Sequence, residues 1–181
     1  KHVAVKFADY KHFSVLNAKN ANTLVFKKNK IYAFNTDYMA AKKILKKKKF
    51  KNYIILGAGS LANTFVSLIK KDNIFIFNRS QKNILKLKKK YKNVRTLNEV
   101  DAKSIKSCLL INATPFFNYS KLSKILDFKQ INLICDCILY KKRKSVLKKI
   151  SKKKMIMYTS GETFYKIQRN FQKKIYLNEK F

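Results

Sequence analysis

Tyr53-Ile54-Ile55-Leu56-Gly57-Ala58-Gly59-Ser60-Leu61-Ala62, running on through Asn63 to Ile69 and then to Ile74-Phe75-Ile76-Phe77-Asn78-Arg79-Ser80, decides the fold. It reads as an apolar strand, a Gly-x-Gly-x-x-Ala turn, a helix and a second apolar strand. A dinucleotide-binding βαβ unit has this order. Gly57 makes the tight turn and Ala58 follows it. Gly59 lets the backbone approach a pyrophosphate, with Ser60 and Leu61 opening the helix. Ala62 stands where a small residue lets helix and sheet pack closely. The pyrophosphate would lie at the positive end of the helix. The chain has 3 glycines in 181 residues, where average usage of ~7% predicts about a dozen. Two of the three stand in this turn. Without a nucleotide, the same turn would be only a tight βα connection.

The end of the second strand selects the cofactor. An NAD site places an acid about 20 residues after the turn, on the ribose 2′-hydroxyl. Here the strand ends in Asn78-Arg79-Ser80 with no carboxylate. A guanidinium pairs with a 2′-phosphate, which a carboxylate would repel. The expected cofactor is NADP.

Working outward, strands alternate with helices over residues 50–158, which predicts a parallel α/β sheet of Rossmann type. Residues 2–7 alternate like a strand. Asp9–Leu16 suits a short helix, and Ala21–Phe26 and Ile31–Phe34 form a hairpin about Lys27–Lys30. Tyr38–Leu45 is a helix with Asp37 near its N-terminus. Gly161 starts a long final helix. The 46% hydrophobic content suffices for a core. The net charge of +34 comes from 43 Lys+Arg against 9 acids, with only four arginines. Together with abundant Asn, Ile, Phe and Tyr, this resembles a codon drift toward A and T rather than a polyanion site, where arginine would cluster with lysine. The runs Lys46–Lys49, Lys88–Lys90 and Lys152–Lys154 read as solvated surface. Non-specific attraction to polyanions follows, but no specific nucleic-acid motif. Cys108, Cys135 and Cys137 sit in apolar runs and read as buried thiols of a reducing compartment. No second Cys or His pair completes a metal site, and no run approaches the ~20 apolar residues of a membrane span. The chain shows no signal-peptide pattern.

Several motifs, in this order, resemble the shikimate dehydrogenase family. They are Ala21-Asn22-Thr23-Leu24, Asn35-Thr36-Asp37, Gly57-Ala58-Gly59, Asn78-Arg79-Ser80, Asn112-Ala113-Thr114-Pro115, Asp136 with Tyr140, and Gly161 with Gln168. The resemblance implies reversible reduction of 3-dehydroshikimate to shikimate with NADP(H), on the cytoplasmic route to chorismate and the aromatic amino acids. It implies a monomer or homodimer that takes a small-molecule substrate, without a membrane or a metal. Residues 1–38 would be a partial substrate-binding domain, 39–158 the NADP domain, and 159–181 a helix returning to the substrate domain. Lys11, with Lys6 as the fallback, and Asp37 would handle the proton. Asn22, Thr36, Tyr140 and Gln168 would bind substrate. Asn112, Ala113, Thr114 and Gly161 would line the nicotinamide side.

The chain departs from the family pattern in places. Reaching Lys11 needs one inserted residue, and the interval from Asp136 to Tyr140 is one residue long. Ser60 stands where a glycine is common. The family's first segment, with its Ser-x-Ser carboxylate clamp, has no counterpart among these residues. A quinate/shikimate enzyme of relaxed specificity, or a decayed nucleotide- or nucleic-acid-binding remnant, would share most of these motifs.

A charge of +34 repels itself in the compact state. Raising salt shortens the screening length from ~30 Å at 0.01 M to ~8 Å at 0.15 M. The thermal midpoint measured by circular dichroism is therefore expected to rise across that range, and a flat or falling midpoint would contradict the reading of the lysines as mutually repelling surface charge.

Overall fold

The structure is a computed structural model that describes residues 2–46, 50–140 and 145–178. Lys47 to Lys49 of the first lysine run lie outside the described residues. The order is α1 (His2–Lys6), β1 (Tyr10–Lys11), α2 (Phe13–Ala18), β2 (Thr23–Lys27), β3 (Lys30–Phe34), α3 (Thr36–Lys46), β4 (Asn52–Leu56), α4 (Ser60–Leu68) and β5 (Asn73–Phe77). It continues with α5 (Gln81–Lys90), β6 (Val94–Thr96), α6 (Glu99–Ser104), β7 (Cys108–Asn112), α7 (Tyr119–Ile125), β8 (Ile131–Asp136), α8 (Val146–Lys153), β9 (Met157–Thr159) and α9 (Gly161–Tyr176).

Six strands form one all-parallel sheet in the order β6-β5-β4-β7-β8-β9. This is the doubly wound Rossmann order, with its switch point between β4 and β7. Parallel strands are covered on both faces, so they read as continuous apolar runs. Tyr53, Ile55, Ile76, Leu109 and Ile111 face α3, α4, α5 and α9, where Ala40, Phe65, Leu87 and Phe164 meet them. Ile54, Leu56, Leu110 and Ile134 face the other way, onto Ala102 of α6, Leu122 of α7 and Leu147 of α8.

A second, three-stranded sheet has the order β1-β3-β2, with β1 parallel and β2 antiparallel to β3. The hairpin closes over Lys28 and Asn29, both at positive φ (47° and 54°). That is the twist-matched two-residue turn, here made without glycine. The expectation of a strand over residues 2–7 is corrected: His2–Lys6 is helical. Ala4, Val5 and Ala8 pack together against Val15 and Ala33. Their i, i+1, i+4 spacing is helical, whereas Val3 and Phe7 are exposed at 64% and 69%.

Two helices join the sheets. Asn63 of α4 donates to the Ala18 carbonyl that ends α2 (2.6 Å). The last helix packs along α3 and touches β2. Gly161 opens that helix under the backbone of Ile138, and a Cβ there would overlap the Ile138 carbonyl. Gly161→Ala is expected to exceed the ~1–3 kcal/mol of ordinary overpacking, because the obstacle is main chain. The thermal midpoint should fall by roughly 5–10 °C; an unchanged midpoint would show that residue 138 yields freely.

Candidate active site

Gly57 ends β4 at φ +100°. Its N–H donates to the Phe77 carbonyl (2.8 Å), and Ala113 N–H donates to the Leu56 carbonyl (2.9 Å). A Cβ on Gly57 would stand 2.9 Å from Thr114 Cβ. Only glycine fits where the β4 turn passes the β7 turn, so both strand ends open into one crevice at the switch point. Gly59, exposed and with open space where a Cβ would be, is the N-cap of α4 and offers no side-chain cap. Ser60 Oγ, at the first turn of α4, is buried without a hydrogen-bond partner among the described residues. An uncapped helix start and an orphaned hydroxyl suit a phosphate.

Beside this turn, a cleft of about 700 Å³ is lined by Asn78, Arg79, Gln81, Thr114 and Lys121, among others. The volume is that of a small-molecule site. Asn78 donates to the Ser80 carbonyl (3.0 Å), which fixes the turn that presents Arg79. Arg79 is exposed. Lys121, a second cation facing the cleft, is invisible to a motif search because it comes from α7, far along the chain.

At the ends of β7 and β8, fully buried Asp136 collects donors. Asn112 Nδ2 (2.9 Å) and Tyr140 OH (3.4 Å) donate to one carboxylate oxygen; Ser145 Oγ and Tyr158 OH (3.0 Å) donate to the other. Asn112 Oδ1 accepts from Thr114 N–H (3.2 Å), and its Nδ2 also reaches Tyr140 OH (3.1 Å). Burial, then the Asp136 charge, pushes the Tyr140 phenol up to about 12; burial pushes Tyr158 up as well. Ser145 and Tyr158 escaped the sequence reading. Ser145 looks like a local cap, and it does accept from Lys148 N–H (3.2 Å).

A second polar cluster joins three elements. Gln168 Nε2 of α9 donates to Thr36 Oγ1 (2.7 Å), across 132 residues of sequence. Thr36 donates through its hydroxyl (3.1 Å) and its N–H (2.8 Å) to Asn22 Oδ1. Thr23 Oγ1 also donates to Asn22 Oδ1 (3.2 Å). Gln172, one turn after Gln168, reaches Thr23 Oγ1 (3.5 Å); the i, i+4 spacing of the two glutamines was a signal available in the sequence. Asp37 lies in the first turn of α3, half-buried beside Thr36. Its charge is among the causes that raise the Cys137 thiol. Asp37 is therefore within electrostatic reach of Cys137, which follows β8.

Lys11 is not part of this cluster. It pairs with Ala33 in the small sheet, whereas Thr23 pairs with Phe34. Side chains alternate along a strand, so Lys11 points to the face opposite Thr23. There it lines a cavity with Val5, Lys6, Val15, Leu16 and Lys19. Lys6 shares that cavity.

Among the described residues, no group of three or more His, Cys, Asp or Glu could hold a metal ion, and no helix is long and apolar enough to cross a membrane.

No family model matches the chain. Over 162 residues it is 26% identical to the shikimate dehydrogenase (NADP(+)) of Aquifex aeolicus, covering 84% of this chain and 59% of that enzyme. With the enzyme of the same description from Ignicoccus hospitalis, it shares 34% identity over 116 residues, 61% of this chain and 44% of the other. The fold superposes on the Thermus thermophilus shikimate 5-dehydrogenase in complex with NADP(H) and shikimate with a TM-score of 0.77, at 17% identity, covering 98% of this chain and 70% of that one. The chain spans about half the length of the curated relatives it matches. Over the part it spans, the chain is similar to shikimate dehydrogenases in sequence and in fold.

Proposed function

We propose that this chain carries the shikimate dehydrogenase reaction: the reversible, NADP(H)-dependent interconversion of shikimate and 3-dehydroshikimate, in the cytoplasm, on the route to chorismate. One observation carries the reading. The dinucleotide turn with its basic cleft stands at the strand ends of the large sheet, and α9, which starts under Ile138 just past β8, carries Gln168 to the Asn22–Thr36 cluster beside Asp37.

The residues present fit the cofactor. Arg79 and Lys121 face the cleft into which a 2′-phosphate would fall, and the start of α4 with Ser60 offers donors to the pyrophosphate. Ala113 and Thr114, after Asn112 at the end of β7, meet the Gly57 turn, and Gly161 seats the start of α9 under Ile138. When bound, NADP(H) supplies the hydride acceptor or donor.

The chain's own residues orient substrate and move the proton. Because Asn22 Oδ1 is turned toward Thr36, its NH2 is directed away and can donate to a substrate oxygen. Gln168, held by Thr36, keeps its carbonyl oxygen for a substrate hydroxyl. Oxidation of the alcohol releases one proton, which the Asp37 carboxylate accepts; in reduction it returns that proton to the forming alkoxide. Tyr140, fixed on Asp136 and Asn112, shapes the crevice wall. Lys11, on the opposite face of the small sheet, is given no part in this proton transfer.

The test is to mix the purified chain with shikimate and NADP and to follow NADPH absorbance. Shikimate-dependent NADPH formation is expected. Asp37→Asn should lower kcat by ~10²–10⁴-fold with NADP affinity retained, and Lys11→Ala by less than about tenfold. Wild-type turnover in Asp37→Asn would overturn the assignment. No turnover in the parent chain, with NADP still raising its melting temperature, would overturn the reaction while leaving the cofactor site standing.

A further inference from the structure

Cys135 and Cys137 stand at the end of β8, two residues apart and on one face of the strand. Both are buried, and their sulfurs are 3.6 Å apart. They face the same core as Ala40, Ala41 and Phe164. Cys108 lies at the start of β7, on the other face of the sheet, with its sulfur on the Gln130 carbonyl. The crevice chemistry uses none of the three.

The separation is too long for a disulfide, whose sulfurs bond at ~2.05 Å. It suits a single soft atom shared by both. With bonds of ~2.3 Å, the usual metal–thiolate length, that atom would see the two sulfurs at about 100°. A linear two-coordinate ion does not meet that angle. A tetrahedral metal does, but it needs further ligands, and the described residues offer no third Cys, His, Asp or Glu. A trivalent monoarsenical needs two sulfurs and a pyramidal angle near this value.

We propose that Cys135 and Cys137 form a dithiol site for a trivalent monoarsenical, R–As=O. The step conserves oxidation states. Two As–S bonds form, the As=O bond and two S–H bonds break, and the oxygen leaves as water with both thiol protons. Cys137, 8% exposed against 0% for Cys135, is the entry sulfur. Burial, the neighbouring thiol and the charges of Asp136 and Asp37 hold it protonated well above the usual thiol range. This suppresses thiolate-dependent disulfide exchange, whereas condensation with the arsenical consumes the protons.

The folded chain is treated with one equivalent of phenylarsine oxide under reducing-agent-free conditions, desalted, and analysed by intact mass and by thiol titration in denaturant. One adduct is expected, with free thiols falling from three to one. Cys108→Ser should keep the adduct. Cys135→Ser and Cys137→Ser, checked for fold by circular dichroism, should lose it on desalting. Three titratable thiols remaining in the treated parent chain would overturn the proposal. So would loss of the adduct in Cys108→Ser, or an adduct that survives desalting in folded Cys137→Ser.

Discussion

A carboxylate with no exposure to solvent is costly unless donors surround it, and the crevice end of this molecule is built around one. Asp136 ends β8, and its two oxygens accept from Asn112 on β7, Tyr140, Ser145 before α8, and Tyr158 on β9. Three adjacent parallel strands and the segments leaving them are thereby held at one height. Removing one donor would leave part of a buried charge unmet, so the cluster holds together as a unit. The backbone follows the same logic. Cys137 N–H continues the ladder to the Asn112 carbonyl (3.0 Å). Residue 138 then passes so close over α9 that only glycine fits beneath it. Gln168 reaches Thr36 because α9 starts from that point.

The crevice depends equally on the switch point. β4 and β7 are neighbours whose connections leave in opposite directions, so their turns diverge and leave room between them. Gly57 lets the turns pass, while Arg79 and Lys121 make one side of the room basic. In a chain of net charge +34, a basic cleft is no evidence by itself. Its placement at the end of β5, beside an uncapped α4 start and an orphaned Ser60 hydroxyl, is what distinguishes it.

Where physics is local, the sequence carried most of the fold. The apolar runs of β4, β7 and β8 are continuous because both faces are covered, and the Gly57–Ala62 turn could be read directly. Residues 2–7 misled, because His2-Val3-Ala4-Val5 alternates like a strand while partly buried Ala4 and Val5 and buried Ala8 pack inward. Short apolar runs do not separate helix from strand by period alone. The site was legible where a motif carries its own neighbours, as in Asn35-Thr36-Asp37. It was obscure where contacts join distant elements: Ser145 and Tyr158 on Asp136, and Lys121 in one cleft with Arg79. Lys11 illustrates the same limit. A lysine at about the right distance along the chain faces away once strand register is fixed, and register follows from pairing that the sequence does not display.

The central claim is that the crevice at the strand ends of the six-stranded sheet takes a dinucleotide and prefers the 2′-phosphorylated cofactor. Titration calorimetry of the chain with NADP and with NAD, at one fixed salt concentration, tests it most directly. A charge-assisted pair with Arg79 is worth ~1.5–3 kcal/mol, so NADP should bind roughly 10- to 100-fold more tightly than NAD, and Arg79→Gln should close most of that gap. Equal affinities in the parent chain, or a preference for NADP that Arg79→Gln leaves intact, would contradict it.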